Sequence, residues 1–292
     1  MENFLESMEL ITGTVKSLEG ISENSFLKKD CDRQRIPNRK EVIKVIKDLQ
    51  SLLFPNYFKH SEGSENVLSQ TELLLNIYNR LAEQIKGACE FNMTSMTCSA
   101  EKICDEFISQ LPMVKTLLLK DIEAIYEGDP AAKCHEEVLI CYPGFYAISI
   151  YRIAHVLYTL KVPLIPRIMT EFAHEKTGVD IHAGATIGEY FCIDHGTGIV
   201  IGETTTIGDR VKIYQGVTLG AKSFELDENG NPVKDIKRHP DIGNNVVIYA
   251  NATILGGNTK IGDNCVIGGN TWLTRSVDSG SVVYYNEKSG TV

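Results

Sequence analysis

From Gly178 onward an aliphatic residue returns at every sixth position: Ile181, Ile187, Ile193 and Ile199, then, after a two-residue offset, Ile201, Ile207, Ile213 and Leu219. A third series has Ile242, Ile248 and Ile254, then Ile261, Ile267 and Leu273, and glycine follows the aliphatic residue at Gly188, Gly202, Gly208, Gly220, Gly243, Gly262 and Gly268. A period of six fits neither an α-helix nor a coiled-coil seam. It is the signature of a parallel β-helix, in which each hexapeptide supplies one short strand and one tight corner. The aliphatic side chain points into the tube and stacks on its copies in coils about 4.8 Å away. Glycine suits the corner, where a side chain would clash or φ turns positive. Two interruptions stand out. The polar, turn-rich segment from Lys222 to Pro232 is expected to loop out of the tube. The seven-residue step from Ile254 to Ile261, through Gly256-Gly257-Asn258, implies a bulged corner.

Upstream the periodicity is helical. Between Pro37 and Phe54, Val42, Val45, Ile46, Leu49, Leu52 and Leu53 recur at helix spacing. Ser69-Gln70-Thr71-Glu72 has the capping-box pattern for a helix running to about Cys89. Further helices are expected over Ala100–Leu111, over Pro112–Glu127 with Gly128 at C′, from Pro143 to Leu160, and from Pro163 to Lys176 with Gly178 closing it. The first 35 residues are weakly periodic and receive no assignment. The expected architecture is α+β. An α-helical N-terminal domain (1–177) precedes a left-handed parallel β-helix of hexapeptide repeats (178–280) with an extruded loop at 222–240, and a tail follows (281–292).

A net charge of -9 argues against nucleic-acid binding, which needs a basic face. The opening Met1-Glu2-Asn3-Phe4-Leu5-Glu6 is not a signal-peptide pattern. No apolar run reaches the about 20 residues of a membrane span. A cytoplasmic protein without membrane or nucleic-acid partners is expected. The eight cysteines form no C-x-x-C pair and read as reduced thiols.

The residues set into the repeat are more specific than the repeat itself. They are Val179-Asp180-Ile181-His182, Ile193-Asp194-His195-Gly196-Thr197-Gly198, Gly202-Glu203-Thr204, Tyr214-Gln215-Gly216-Val217-Thr218-Leu219-Gly220 and Arg238-His239-Pro240. With Gly128-Asp129-Pro130-Ala131 and Tyr151-Arg152-Ile153-Ala154-His155 in the helical part, this order strongly resembles serine O-acetyltransferase, a family of hexapeptide-repeat acyltransferases in cysteine biosynthesis. The resemblance covers about Leu111 to Val277 and implies the following roles. His195 corresponds to the general base and Asp180 to the carboxylate that orients it. Asp129, Asp194, Arg238 and His239 correspond to residues that hold the amino-acid substrate. Gly220, Ala221, Ala250 and Gly269 fall where the family's backbone lines the acetyl-CoA groove. The partners implied are L-serine and acetyl-CoA, the latter a co-substrate, with no tightly bound cofactor and no metal. A homotrimer with active sites between subunits is implied, and many members pair two trimers through the helical domains. Many relatives also end in an isoleucine that docks into cysteine synthase. This chain ends Gly290-Thr291-Val292, one methylene shorter, worth about 0.8 kcal/mol of burial. It also lacks the family's Gly-x-Pro-Ala close, reading Val282-Val283-Tyr284-Tyr285 instead.

The chemistry accounts for these residue types. A serine hydroxyl attacks a thioester poorly unless a base takes its proton, and imidazole suits that near neutral pH. Acidic Asp129 and Asp194 suit the substrate ammonium, and the Arg238 guanidinium suits its carboxylate. The base favours a ternary complex over an acyl-enzyme, although Cys192 lies three residues before His195. His182 and His155 read as structural, Glu203 as a corner residue, and Lys234, Lys237 and Arg238 as a small basic cluster near the loop. Two other enzymes remain as alternatives: a same-fold acetyltransferase with a homoserine or sugar acceptor, and a γ-type carbonic anhydrase whose zinc would need His182, His195 and His239. A non-catalytic β-helix scaffold would leave base, acid and guanidinium unexplained.

Overall fold

The computed structural model describes residues 2–23, 36–58, 69–92 and 99–285. Among the described residues seven helices come first: α1 (Glu2–Glu23), α2 (Arg39–Leu53), α3 (Gln70–Asn92), α4 (Ala100–Gly128), α5 (His135–Cys141), α6 (Pro143–Thr159) and α7 (Ile165–Thr177). The Ser69–Glu72 capping box forms as expected: Ser69 N–H donates to Glu72 Oε2 (2.8 Å) and Glu72 N–H to Ser69 Oγ (3.2 Å). Gly178 closes α7 in the left-handed region at φ 70°, its N–H bonded to the His174 carbonyl.

Two expectations for the helical part are corrected. Pro112 does not open a helix but lies inside α4, which runs unbroken from Ala100 to Gly128. Buried Phe107, Leu111, Val114 and Leu118 continue at three- and four-residue spacing across it, so packing outweighs the lost hydrogen bond. Gly128 is the last helical residue, not a left-handed C′. A Cβ there would lie 3.2 Å from Cys192 Sγ, so glycine serves a close approach of helix to sheet. The seven-residue α5 is too short to show a period. The unassigned N-terminus holds α1, whose described side chains are all exposed.

Fourteen short strands among the described residues then wind into a left-handed parallel β-helix of about five coils. Coil 1 holds β1 (Asp180–Ile181), β2 (Thr186–Ile187) and β3 (Cys192–Asp194). Coil 2 holds β4 (Val200–Ile201), β5 (Thr206–Ile207) and β6 (Lys212–Tyr214). Coil 3 holds β7 (Thr218–Gly220), β8 (Asp241–Ile242) and β9 (Val247–Ile248). Coil 4 holds β10 (Thr253–Leu255), β11 (Lys260–Ile261) and β12 (Val266–Ile267), and coil 5 holds β13 (Trp272–Leu273) and β14 (Val282–Val283). Three flat sheets result: the first with β1-β4-β7-β10-β13, the second with β2-β5-β8-β11 and the third with β3-β6-β9-β12-β14. β14 pairs with β12 inside the segment read as a tail.

The register is the sequence period made visible. Ile181, Ile201, Leu219, Ile254 and Leu273 form one inward column, and Ile193, Ile213, Ile248, Ile267 and Val283 another. A second inward position, two residues before each, carries Ala185, Phe191, Thr205, Val211, Val217, Val246, Ala252 and Cys265, all buried.

The helical domain seals the first coil. Its carbonyls at Ala183, Ala185, Ile187 and Gly188 have no preceding coil to pair with. Tyr151 Oη donates to Ala185 O (2.5 Å), His155 Nδ1 meets Ala183 O (2.8 Å), and Arg152 donates to Ile187 O and Gly188 O (2.6 Å each). Arg152 also holds Asp121 bidentately (3.0 and 2.9 Å), and Asp121 accepts from Phe191 N–H (3.0 Å). Asp121 is 0% exposed. Arg152→Met would leave the buried Asp121 carboxylate without its cation and two carbonyls without donors, so urea unfolding should report a loss of about 3–5 kcal/mol.

Candidate active site

The corner between the third and first sheets carries one cluster. Two extra residues lengthen this turn in coil 1, and His195 sits in it at φ 59°, a conformation costing a non-glycine residue about 1 kcal/mol or more. Gly196 packs so closely on Val179 that a Cβ would lie 2.9 Å from its side chain, which sets Asp180 beside the same turn. The His195 imidazole is 76% exposed and its Nε2 lies 3.7 Å from Asp194 Oδ1. Asp129, the C-cap of α4, enters from the helical domain. Its carboxylate accepts from Tyr142 Oη (2.6 Å) and Ala131 N–H (2.8 Å). These bonds, foremost Tyr142's, hold its carboxyl below the usual range, with Lys212 and His195 adding to the effect. The same bond raises the Tyr142 phenol.

Lys212, in β6, joins this cluster unforeseen. Its Nζ bonds Asp194 Oδ2 (2.8 Å) and the Gly128 carbonyl (2.6 Å), and it lies 4.6 Å from the centre of the Tyr214 ring. Burial works against its charge, but the bonds to Asp194 and Tyr214 outweigh it and raise the ammonium. A signal was present in the repeat: β3–β6 pairing sets Cys192 opposite Lys212 and Asp194 opposite Tyr214, so Lys212 is diagonal to Asp194. The Cys192 thiol is buried and pushed up to about 12 by desolvation, which makes it a poor nucleophile.

The corner between the first and second sheets carries the other cluster. Arg238 pairs with Glu203, and Tyr158 Oη donates to Glu203 Oε1 (3.0 Å). Arg238 and Tyr158 together lower the Glu203 carboxyl against the opposing effect of burial. Glu203 is thus a partner of the guanidinium as well as a corner residue. His239 Nδ1 accepts from Thr204 N–H (3.1 Å), which leaves the proton on Nε2. Burial, then Arg238, pulls this imidazole down to about 4, so it is neutral near pH 7. Two glycines admit these residues. A Cβ on Gly202 would lie 2.1 Å from the His239 ring, and one on Gly257, in the bulged corner, 2.6 Å from the Lys237 carbonyl. The extruded loop is pinned by Lys237 Nζ to Thr204 O and Asp241 (2.5 Å each).

The structure therefore brings Asp129, Asp194 and His195 together, and separately Arg238 and His239, with no hydrogen bond or ion pair between the two sets among the described residues. The first sheet lies between them, about 15–20 Å wide at about 3.3 Å per residue. Asp180 makes no hydrogen bond to His195. Its nearest cation is Arg167 (4.0 Å), and with Glu171 and His174 it forms the one grouping of metal-ligand spacing among the described residues. His182 bonds Gly184 N–H through Nδ1 (3.0 Å) and stands apart from His195. Ala250 and Gly269 stack at the His195 corner, a Cβ on Gly269 lying 3.0 Å from Ala250 O, whereas Gly220 and Ala221 lie at the other end of the first sheet. The chain's end at 286–292, with Val292, lies outside the described residues. No helix among the described residues is long and apolar enough to cross a membrane.

Comparisons with known proteins show which family the chain resembles. Residues 59–149 match the family described as serine acetyltransferase, N-terminal. The likeness thus begins well before Leu111, where the motifs start. A plasmid serine acetyltransferase of Synechococcus elongatus is 47% identical over 260 residues, covering 85% of this chain and 81% of that one. Among solved structures, Entamoeba histolytica serine acetyltransferase 1 in complex with L-cysteine superposes with a TM-score of 0.72 at 37% identity, covering 82% of this chain and 86% of that one. A serine acetyltransferase in complex with CoA gives 0.55 at 25% identity, covering 84% and 98%.

Proposed function

The chain belongs to the serine acetyltransferase family, and from that premise we propose how its two half-sites divide the work. The enzyme transfers the acetyl group of acetyl-CoA to the hydroxyl of L-serine, giving O-acetylserine and CoA. His195 takes the hydroxyl proton as the oxygen attacks the thioester carbonyl. The tetrahedral oxyanion then collapses, the carbon–sulfur bond breaks, and the imidazolium returns the proton to the departing thiolate. Asp180, beside the same turn, is the carboxylate assigned to orient the base. Asp129 and Asp194 receive the substrate ammonium. Arg238 grips the carboxylate, and His239 offers its Nε2–H. The buried Cys192 thiol supports direct transfer in a ternary complex. Ala250 and Gly269 are assigned to the acetyl-CoA groove, with Gly220 and Ala221 on the facing side.

One observation carries this reading. The acidic half with the base and the basic half are both complete, yet they sit on different corners of one prism. A zwitterion of serine's size cannot touch both within one chain. A homotrimer joins the His195 corner of one subunit to the Arg238 corner of the next, a heterologous contact that closes on itself. L-cysteine, with the same ammonium and carboxylate, fits the same two halves. The buried free thiols Cys104 and Cys265 suit a reducing cytoplasm.

The test is thiol release from acetyl-CoA with L-serine, homoserine or a sugar as acceptor. Serine alone should stimulate release. Stimulation by another acceptor only would keep fold and base and remove the acceptor assignment.

A further inference from the structure

Lys212 occupies a position that the reaction does not obviously need. Asp129 and Asp194 alone would give a doubly negative pocket for one ammonium. Lys212 brings its net charge to minus one, and it does so from a fixed place. Its Nζ is held by Asp194 Oδ2 at 2.8 Å and Gly128 O at 2.6 Å, with only 17% of the side chain exposed. Gly128 ends α4, and its carbonyl belongs to the negative end of that helix, so the cation is held from two sides. Both oxygens of Asp129 already have partners. Asp194 Oδ1 is then the less engaged acceptor, and it lies 3.7 Å from His195 Nε2, beyond hydrogen-bond length.

We propose that Lys212 is a positioning residue: by clamping Asp194 Oδ2 to the end of α4 it stops that carboxylate from closing onto the catalytic imidazole and keeps Oδ1 aimed at the ammonium of the amino-acid substrate. Without the clamp a side-chain rotation brings Asp194 and His195 into a direct ion pair, and two partners are lost together: the base is tied up and the ammonium loses an acceptor. The charged groups around His195 are Asp194 on its own turn, Lys212 on β6, Asp129 at the end of α4 with its Tyr142 partner, and Asp180 on β1 with Arg167 on α7 4.0 Å from it. Of the two cations, Lys212 is the one bonded to Asp194. The inference rests on the serine reading of the site.

The test compares wild type with Lys212→Gln, which keeps a hydrogen-bond donor and removes the charge, and with Lys212→Arg, which keeps the charge. Lys212→Met replaces the glutamine variant should that not fold. In Lys212→Gln the KM for serine should rise about 10-fold, the KM for acetyl-CoA should stay unchanged, and the acid limb of the kcat/KM profile for serine should move up by about one pH unit. Lys212→Arg should recover most of both. A residue that merely ties helix to sheet would lower Tm without separating the two KM values. The inference is overturned if Lys212→Gln keeps the wild-type serine KM and acid limb, if both KM values rise together, or if arginine rescues nothing. Inactivity of the wild type toward serine would instead overturn the functional reading.

Discussion

Replacing His195 should reduce serine-dependent thiol release by about 10²–10⁴-fold in kcat, the share that a positioned general base supplies. The imidazole is 76% exposed in the single chain, so the fold of the subunit should be unaffected. Asparagine is the better probe beside alanine, because it tolerates the left-handed backbone of this turn more readily. The acetyl-CoA KM should change little, since Ala250 and Gly269 present backbone from other coils. A variant that kept activity within a few-fold of wild type would remove His195 from the reaction.

The second large effect concerns two inactive proteins. In the proposed homotrimer, His195→Ala and Arg238→Ala each disable every site. If each active site takes the base from one subunit and the guanidinium from its neighbour, a mixture of the two variants contains repaired interfaces. In any mixed trimer one interface of three joins an intact base to an intact guanidinium. Three quarters of randomly assembled trimers are mixed, so co-refolding equal amounts should restore about one quarter of wild-type activity. The measurement is thiol release after co-refolding, against each variant refolded alone. A site contained within one chain would give no recovery at all.

Much of this architecture could be read from the sequence because the β-helix repeats one physical requirement. Each coil needs one aliphatic residue per face in a fixed place, so Ile181, Ile201 and Leu219 announce their own stacking. The second inward position escaped notice because its chemistry varies from alanine to phenylalanine to threonine, with only size and burial in common. The helical part was less legible where local preference and packing disagree. Pro112 looks like a start, yet the apolar face of α4 runs straight through it. In the site, His195, Asp194 and Arg238 carried recognisable neighbours. Lys212 and Tyr142 did not, because each earns its place through a contact with a residue distant in the chain. An outward lysine in a repeat reads as a solvated surface charge until the coil register sets it diagonal to Asp194. Asp180 lies on β1 beside the same turn, and its contact with Arg167 at 4.0 Å is one its motif does not announce.

The plug formed by Tyr151, Arg152 and His155 over the first coil has a further consequence. A solenoid is a nearly one-dimensional object, and each of its ends can in principle template the addition of another coil. In this chain side-chain donors from α6 occupy the carbonyls at Ala183, Ala185, Ile187 and Gly188. The helical domain therefore does for the β-helix what a stopper does for a growing polymer. It ends the array at a defined length and keeps end-to-end fibre growth from competing with the proposed closure into a ring of three subunits.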